Sequence, residues 1–191
     1  QSIAAALPYR DFITVGLLVQ NFSLGGAPVR DNWIYIQDKE FVVGRIQIFN
    51  NWSPYMVQDT SKIWLGMEYF CYEGDNVWQK SEEDMKKFAV GELVGLGLIR
   101  SCDDVLDGTV IQVPKAYPAY FGAYADFPKV KSYLDTFSNL FLIGRNGMHR
   151  YNNQDHSMLA AMTAVDNIIA GRRDKENLWA VNTEEEYHEE K

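Results

Sequence analysis

The sequence predicts an α+β fold, a mixed and largely antiparallel sheet of about five to seven strands with three or so helices. Three observations carry that expectation. Short runs rich in β-branched and aromatic residues recur along the chain; three stretches repeat apolar residues at helical spacing; and clusters of Gly, Pro, Asn and Asp punctuate the segments between them.

Residues 12–20 hold Ile13, Val15, Leu17, Leu18 and Val19 and read as a strand, entered through Pro8-Tyr9-Arg10-Asp11. Gly25-Gly26-Ala27-Pro28 marks the next loop. In 32–37, Trp33, Tyr35 and Gln37 alternate with Ile34 and Ile36, the pattern of a half-buried strand with an aromatic face. Residues 44–49 repeat it with Ile46 and Ile48, and a hairpin through Asp38-Lys39-Glu40 joins the two most simply. Asn50-Asn51-Trp52-Ser53-Pro54 then breaks the sheet, with Trp52 either walling a ligand cleft or tucked into a surface turn. Residues 63–72 form another long strand, turned by Glu73-Gly74-Asp75-Asn76.

Ser81 and Asp84 stand at capping-box spacing, and Met85, Phe88, Ala89, Leu93 and Leu96 continue as a helical stripe. Gly91, Gly95 and Gly97 close that helix. A dinucleotide fingerprint would instead open a helix after a strand, so these glycines are not one. Residues 105–113 are strand-like, interrupted at Asp107-Gly108. Pro114 and Pro118 remove ladder donors, which makes 113–120 an extended aromatic crossing segment and no central strand. Residues 127–137 carry Val130, Tyr133, Leu134 and Phe137 and read as a short helix.

The chemistry is concentrated after it. Leu140, Phe141, Leu142 and Ile143 look like a buried strand ending at Gly144. From Met158, apolar residues Met158, Met162, Val165 and Ile169 recur at steps of four, three and four, which predicts a helix with that face buried and Gly171 as its C-terminal stop. The loop 144–156 between them holds Arg145, Arg150, Tyr151, Asp155, two imidazoles and four amides. The helix would start near 153–155, so its free N–H groups and positive dipole end share a space with the two arginines. Two readings stand side by side: an anion site, or a solvated loop in which Asn153 or Asp155 caps the helix.

The pattern Gly144-Arg145-x-Gly147-x-x-Arg150-Tyr151-x-x-x-Asp155, between an apolar strand and a helix, resembles the C-terminal flavin-binding segment of UDP-galactopyranose mutase and its flavin amine oxidase-like relatives. The resemblance implies that the segment closes an FAD domain, with Gly144, Arg145, Asn153, Gln154, Asp155, His156 and Ser157 on the flavin side. Arg150 and Tyr151 would then face substrate, and Tyr117 and Tyr120, in an Ala-x-Pro-x-Tyr-like passage, would line the cleft with Trp52. Where the mutases carry Met-Asp this chain has Gln154-Asp155, a departure that bears on the mutase reaction more than on the flavin.

On that resemblance the fold is the substrate domain of an FAD-linked reductase-like protein without its N-terminal Rossmann half. Expected boundaries are 1–137 for the substrate-binding-like domain, 138–171 for the closing strand and helix, and 172–191 for an acidic tail. The chain begins with Gln1, and no strand–Gly-rich turn–helix occurs in 1–191 to hold a pyrophosphate, so a fragment of a longer protein is expected. The function implied is that of an FAD-dependent oxidoreductase acting on a small molecule, with a mutase-like isomerase of nucleotide sugars as an alternative. A non-catalytic sugar- or partner-binding module is a third. The apolar faces of 140–143 and 157–170 would lack partners in this chain, and a homodimer through them is expected.

Composition bounds these readings. With 47% hydrophobic and 23% charged residues among 191, the chain suits one globular domain or a domain with a small lobe. A net charge of −8 argues against a duplex nucleic-acid binder. Eleven Tyr and five Trp serve cores and sheet surfaces, or ring stacking. Cys71 and Cys102 lack a C-x-x-C context, which points to free thiols and a cytoplasmic setting. Three histidines leave little for a zinc site, and no stretch reaches the roughly 20 apolar residues of a membrane span.

Overall fold

The computed structural model describes residues 1–181, and these divide into two compact units, one of residues 1–10 with 115–181 and one of residues 11–114. The chain passes between them inside two long strands. The expected boundary at 137/138 lies within the first of these units.

The unit of residues 11–114 is built on a five-stranded sheet in the order β4-β5-β6-β1-β7, where β1 is Tyr9–Val19, β4 Trp33–Tyr35, β5 Arg45–Ile48, β6 Ile63–Cys71 and β7 Val105–Pro118. A two-residue pair, β2 (Ser23–Leu24) with β3 (Ala27–Pro28), forms a separate ribbon. The pairs β4–β5, β5–β6 and β6–β1 are antiparallel, so the expected α+β class and sheet are found. Alternation sets the faces. Ile13, Val15, Leu17 and Val19 of β1 are at most 1% exposed and stand beside Leu65, Met67 and Tyr69 of β6 and Ile46 and Ile48 of β5. Onto that layer α3 (Glu82–Gly95) lays Met85, Ala89 and Leu93, four residues apart each time, which is one helical face.

Local signals fix both ends of α3. The Ser81 hydroxyl accepts the Asp84 N–H at 3.1 Å, and Glu82, Glu83 and Asp84 place negative charge in the first turn. At the other end the N–H of Gly97 reaches Val94 O at 2.9 Å and that of Leu98 reaches Leu93 O at 3.0 Å, a Schellman closure that needs the positive φ of 69° at Gly97. In the helix body Glu92, 7% exposed, accepts the N–H groups of Val42 and Val43 at 2.5 and 3.3 Å, which anchors the long β4–β5 connection. That connection spans 36–44, longer than the tight turn expected at 38–40. On the opposite side of the sheet, Arg45 of β5 pairs with Glu68, its register partner on β6, and Gln47 donates to the same carboxylate. Glu68 is only 2% exposed. A short helix α2 (Phe49–Trp52) follows β5.

β7 is longer than the expected 105–113 and runs on through Pro114 to Pro118; it is the end member of the strand order, in keeping with 113–120 as an extended segment and no central strand, since an edge tolerates missing donors. Residues 140–143, expected as a buried strand, pair with no strand; Leu140 and Ile143 are 39% and 41% exposed. An apolar run without a neighbouring ladder stays irregular.

The unit of residues 1–10 and 115–181 is mostly helical: α1 (Ser2–Ala5), α4 (Phe127–Asp135), α5 (Gly144–Met148), α6 (Gln154–Ile169) and α7 (Glu176–Trp179). Its core gathers Phe127, Met148, Ala160, Ala164, Leu178 and Trp179, with Phe141 and Leu142 packed against it. α6 presents its small residues inward. Ala160, Ala164 and Asn167 are buried, whereas Met158, Met162, Val165 and Ile169, the face that periodicity would bury and that was expected to lack partners in this chain, are 52–79% exposed. The reason is supply: within the described residues only the alanine side meets packing partners. Gly171, φ 64°, ends α6 as expected, with its N–H on Ile168 O and that of Arg172 on Asn167 O. The expected acidic tail from 172 first makes α7, and Lys175 and Trp179 are 4% and 6% exposed; residues 184–190, the acidic run itself, lie outside the described residues.

Candidate functional site

The expected loop 144–156 folds instead as a short helix, a left-handed corner and a helix start. Gly144, at φ 73°, opens α5. Five residues later His149 takes φ 47° and ends it, turning the chain so that the Arg150 N–H reaches back to Arg145 O at 3.1 Å. Residues 150–153 then run extended into α6.

Arg145 is bound by backbone on two sides. Its Nε and Nη2 donate to Asn152 O at 3.2 and 3.0 Å, and Nη1 to Ala116 O at 3.3 Å. Its guanidinium carbon lies 4.8 Å from the Tyr117 ring centroid and 4.7 Å from that of Tyr151, and these two rings stack at 5.8 Å with planes 15° apart. Three of the residues assigned by sequence, Arg145, Tyr117 and Tyr151, therefore form one cluster. A fourth joins it: the Tyr151 N–H donates to the Tyr120 hydroxyl at 2.5 Å, and burial raises the Tyr120 phenol above its ordinary range. Arg150 points elsewhere, its Nη1 on Trp179 O at 2.9 Å and its guanidinium 5.8 Å over the Trp179 ring.

At the helix start, the Asn153 N–H donates to His156 Nδ1 at 3.2 Å, which fixes His156 as one half of a capping pair. Gln154 and Asp155 follow, exposed, at positions whose N–H groups have no acceptor inside the helix. Ser157 N–H bonds back to Asn153 O at 3.1 Å. Trp52 belongs to the other unit, where it meets Trp33 with ring centroids 5.1 Å apart and is 43% exposed.

Two residues that sequence reasoning left unassigned are the most informative. Asn152 is 2% exposed, yet neither its side-chain oxygen nor its nitrogen has a hydrogen-bond partner among the described residues. His149, 1% exposed, sits edge-on to Tyr9 at 4.7 Å and stacks on Tyr124 at 5.6 Å. Its Nε2 faces Ala119 O at 3.3 Å, so the neutral ring donates there and leaves Nδ1 as a buried acceptor without a partner. Burial lowers the His149 pKa, with the Ala119 carbonyl working against that shift. Unmet buried polar atoms cost about 1–3 kcal/mol each, so three within four residues, immediately before a helix N-terminus, single this corner out. The signal in sequence was only that an imidazole and an amide sit inside the loop. Tyr9, Ala116 and Ala119, distant in sequence, gave none. Among the described residues no group of three or more His, Cys, Asp or Glu could hold a metal ion, and no helix is long and apolar enough to cross a membrane.

No family model matches the sequence, and no curated protein matches it. Solved structures do. A reduced UDP-galactopyranose mutase superposes with a TM-score of 0.72 at 19% identity, over 95% of this chain and 38% of that one. A putative protoporphyrinogen oxidase from Exiguobacterium sp. 255-15 superposes with a TM-score of 0.54 at 14% identity, over 74% of this chain and 31% of its own. The chain thus spans about a third of the length of these two solved proteins, and at these identities what it shares with them is a fold.

Proposed function

We propose that the chain is the C-terminal part of an FAD-dependent oxidoreductase of the amine oxidase-like superfamily, its α6 start and the 149–152 corner facing one edge of the flavin. The observation that carries the reading is the unpartnered, buried carboxamide of Asn152 with Nδ1 of His149, directly ahead of α6. A flat heterocycle with alternating donors and acceptors matches that set, and the first N–H groups of α6 add positive potential toward it. When bound, FAD would supply hydride chemistry. The chain's own part is to hold and polarise: Gln154, Asp155 and Ser157 form the rim of the helix start, with His156 capping it. Arg145 keeps that rim in place through the Asn152 carbonyl rather than through a ligand. Among the described residues no Gly-rich turn opens a helix after a strand, so the pyrophosphate cradle belongs to sequence beyond these residues, and flavin affinity of 1–191 alone is expected to be weak.

The TM-score of 0.72 favours a second reading, a mutase-like isomerase of nucleotide sugars with Tyr151 and Arg150 toward the diphosphate. Arg150, already on Trp179 O, would have to be shared with it.

One experiment tests both. The natural polypeptide that carries this sequence is purified in the wild-type form and as Asn152→Leu, and flavin absorbance and UDP-galactose binding are measured. The expected result is a yellow protein that loses flavin in the variant while its unfolding midpoint holds or rises, since leucine removes two unmet polar atoms. A colourless, folded protein overturns the flavin reading, and a variant that keeps its flavin overturns the role given to Asn152. Binding of the UDP-sugar only by the yellow form selects the mutase.

A further inference from the structure

We infer that Asn146-Gly147 is a self-modification site: the Gly147 amide nitrogen displaces ammonia from the Asn146 side chain and leaves an aspartyl or isoaspartyl residue on the rim of the corner. The inference stands on α5 and its ties and does not depend on the flavin.

The chemistry is intramolecular. The Gly147 nitrogen attacks Cγ of Asn146, a new C–N bond closes a five-membered imide, and ammonia leaves with the proton that the nitrogen held. Water then opens the ring at either of its two carbonyls. One opening leaves an aspartate with the main chain unchanged. The other routes the main chain through the side-chain carbon and so lengthens it by a methylene. A side chain on the second residue obstructs ring closure, and glycine has none. Asn-Gly occurs once in the sequence.

The structure leaves this pair open to the reaction. Both residues are exposed. The Asn146 carboxamide donates from Nδ2 to Lys115 O at 3.4 Å, long for a hydrogen bond. A Cβ added at Gly147 would come no closer than 3.8 Å to Leu142, so no neighbouring element presses on the flank of the reacting nitrogen. α5 has five residues and no side-chain bond at its N-cap Ile143. A single uncapped turn does not sustain itself, and the extended geometry that ring closure needs at 146 is one local opening away. Asp107-Gly108, which could form the same ring, is held differently: Gly108 lies inside β7, where an added Cβ would stand 2.8 Å from Leu17 and 3.1 Å from Gly16 O.

The bonds that close the corner both span the reacting link. They run from the His149 N–H to Asn146 O at 3.4 Å and from the Arg150 N–H to Arg145 O at 3.1 Å. An inserted methylene enlarges both rings and loosens the turn that carries His149 and Asn152. The aspartyl product keeps the backbone but sets a carboxylate where a donor had faced Lys115 O.

The test holds the 191-residue chain in warm, mildly alkaline buffer, native and in urea, and follows amide loss and isoaspartate by peptide mass spectrometry. Conversion at 146 should precede that of every other amide in the native chain, at a rate less than about a hundredfold below the unfolded one. Gly147→Ala should slow it at least tenfold with the urea midpoint held or raised, since the position is helical and has room for a methyl group. Asn146→Gln should stay unconverted. The isoaspartyl form, separated after conversion, should unfold at lower urea than Asn146→Asp. Another amide converting first, protection of about a hundredfold or more, or undiminished conversion in Gly147→Ala or Asn146→Gln overturns the modification site. Equal midpoints for the isoaspartyl form and Asn146→Asp overturn its effect on the corner.

Discussion

Replacing Arg145 with Ala asks whether the guanidinium is architecture or ligand machinery. The wild-type side chain satisfies Asn152 O twice and Ala116 O once, and contacts the rings of Tyr117 and Tyr151. Removing it strands two part-buried carbonyls at about 1–3 kcal/mol each and gives up two ring contacts at about 0.5–1 kcal/mol each, an expected loss of about 3–8 kcal/mol. Arg145→Lys keeps the charge but has no planar fork to reach both carbonyls, so it should lose about half as much. Urea unfolding followed by circular dichroism, without added ligand, reads both, with the denaturant slope unchanged. A loss for Arg145→Ala within about 1 kcal/mol, the range of an ordinary surface change, would refute the architectural role and return Arg145 to the ligand.

His149 makes stability fall in mild acid. Its folded pKa lies below the ordinary value of 6.5 because burial disfavours the charged ring, so between the two values the unfolded chain binds more protons than the folded one. Stability contributed by the neutral ring is present above about pH 6.5 and is lost as pH falls through that window. Urea midpoints at a series of pH values should show the decline, and His149→Gln should flatten it; equal slopes in the two proteins would remove His149 as the cause. Gly171→Ala should cost about 1–2 kcal/mol through backbone strain alone, since φ is 64° and an added Cβ meets no heavy atom within 4 Å. Thermal melts check it, and an unchanged melting temperature would mean that the end of α6 adjusts freely.

The parts of the fold that were legible in the sequence are those whose cause is local. α3 was readable from Ser81 to Gly97 because a side-chain cap, a four-residue repeat and an αL glycine lie within the segment they control. The strands β1 and β6 were readable because their residues are dense in branched and aromatic types, although the two pair with each other from distant parts of the sequence. α6 shows the limit. Its sequence carries two apolar faces, one of alanines and one of Met, Val and Ile, and periodicity says nothing about which face finds a partner. The run 140–143 failed for a related reason, as a strand is defined by a ladder that its own residues cannot provide. In the site, Gly144 and the capping start of α6 were local and visible, and Arg145, Tyr117 and Tyr151 do meet. The roles of Asn152 and His149 were not visible, because an unmet polar atom is a property of everything around it.

The ion pair between Arg45 and Glu68 has a consequence for how the sheet assembles. β5 contributes only four residues, and its apolar members Ile46 and Ile48 could each sit against β6 at more than one step. A slide by a single position, however, would carry the guanidinium through to the side occupied by Val15, Leu17 and Met85 and leave Glu68 without its cation. Such a misaligned intermediate would bury an isolated charge, so the pair works as a proofreading lock on a strand too short to align itself.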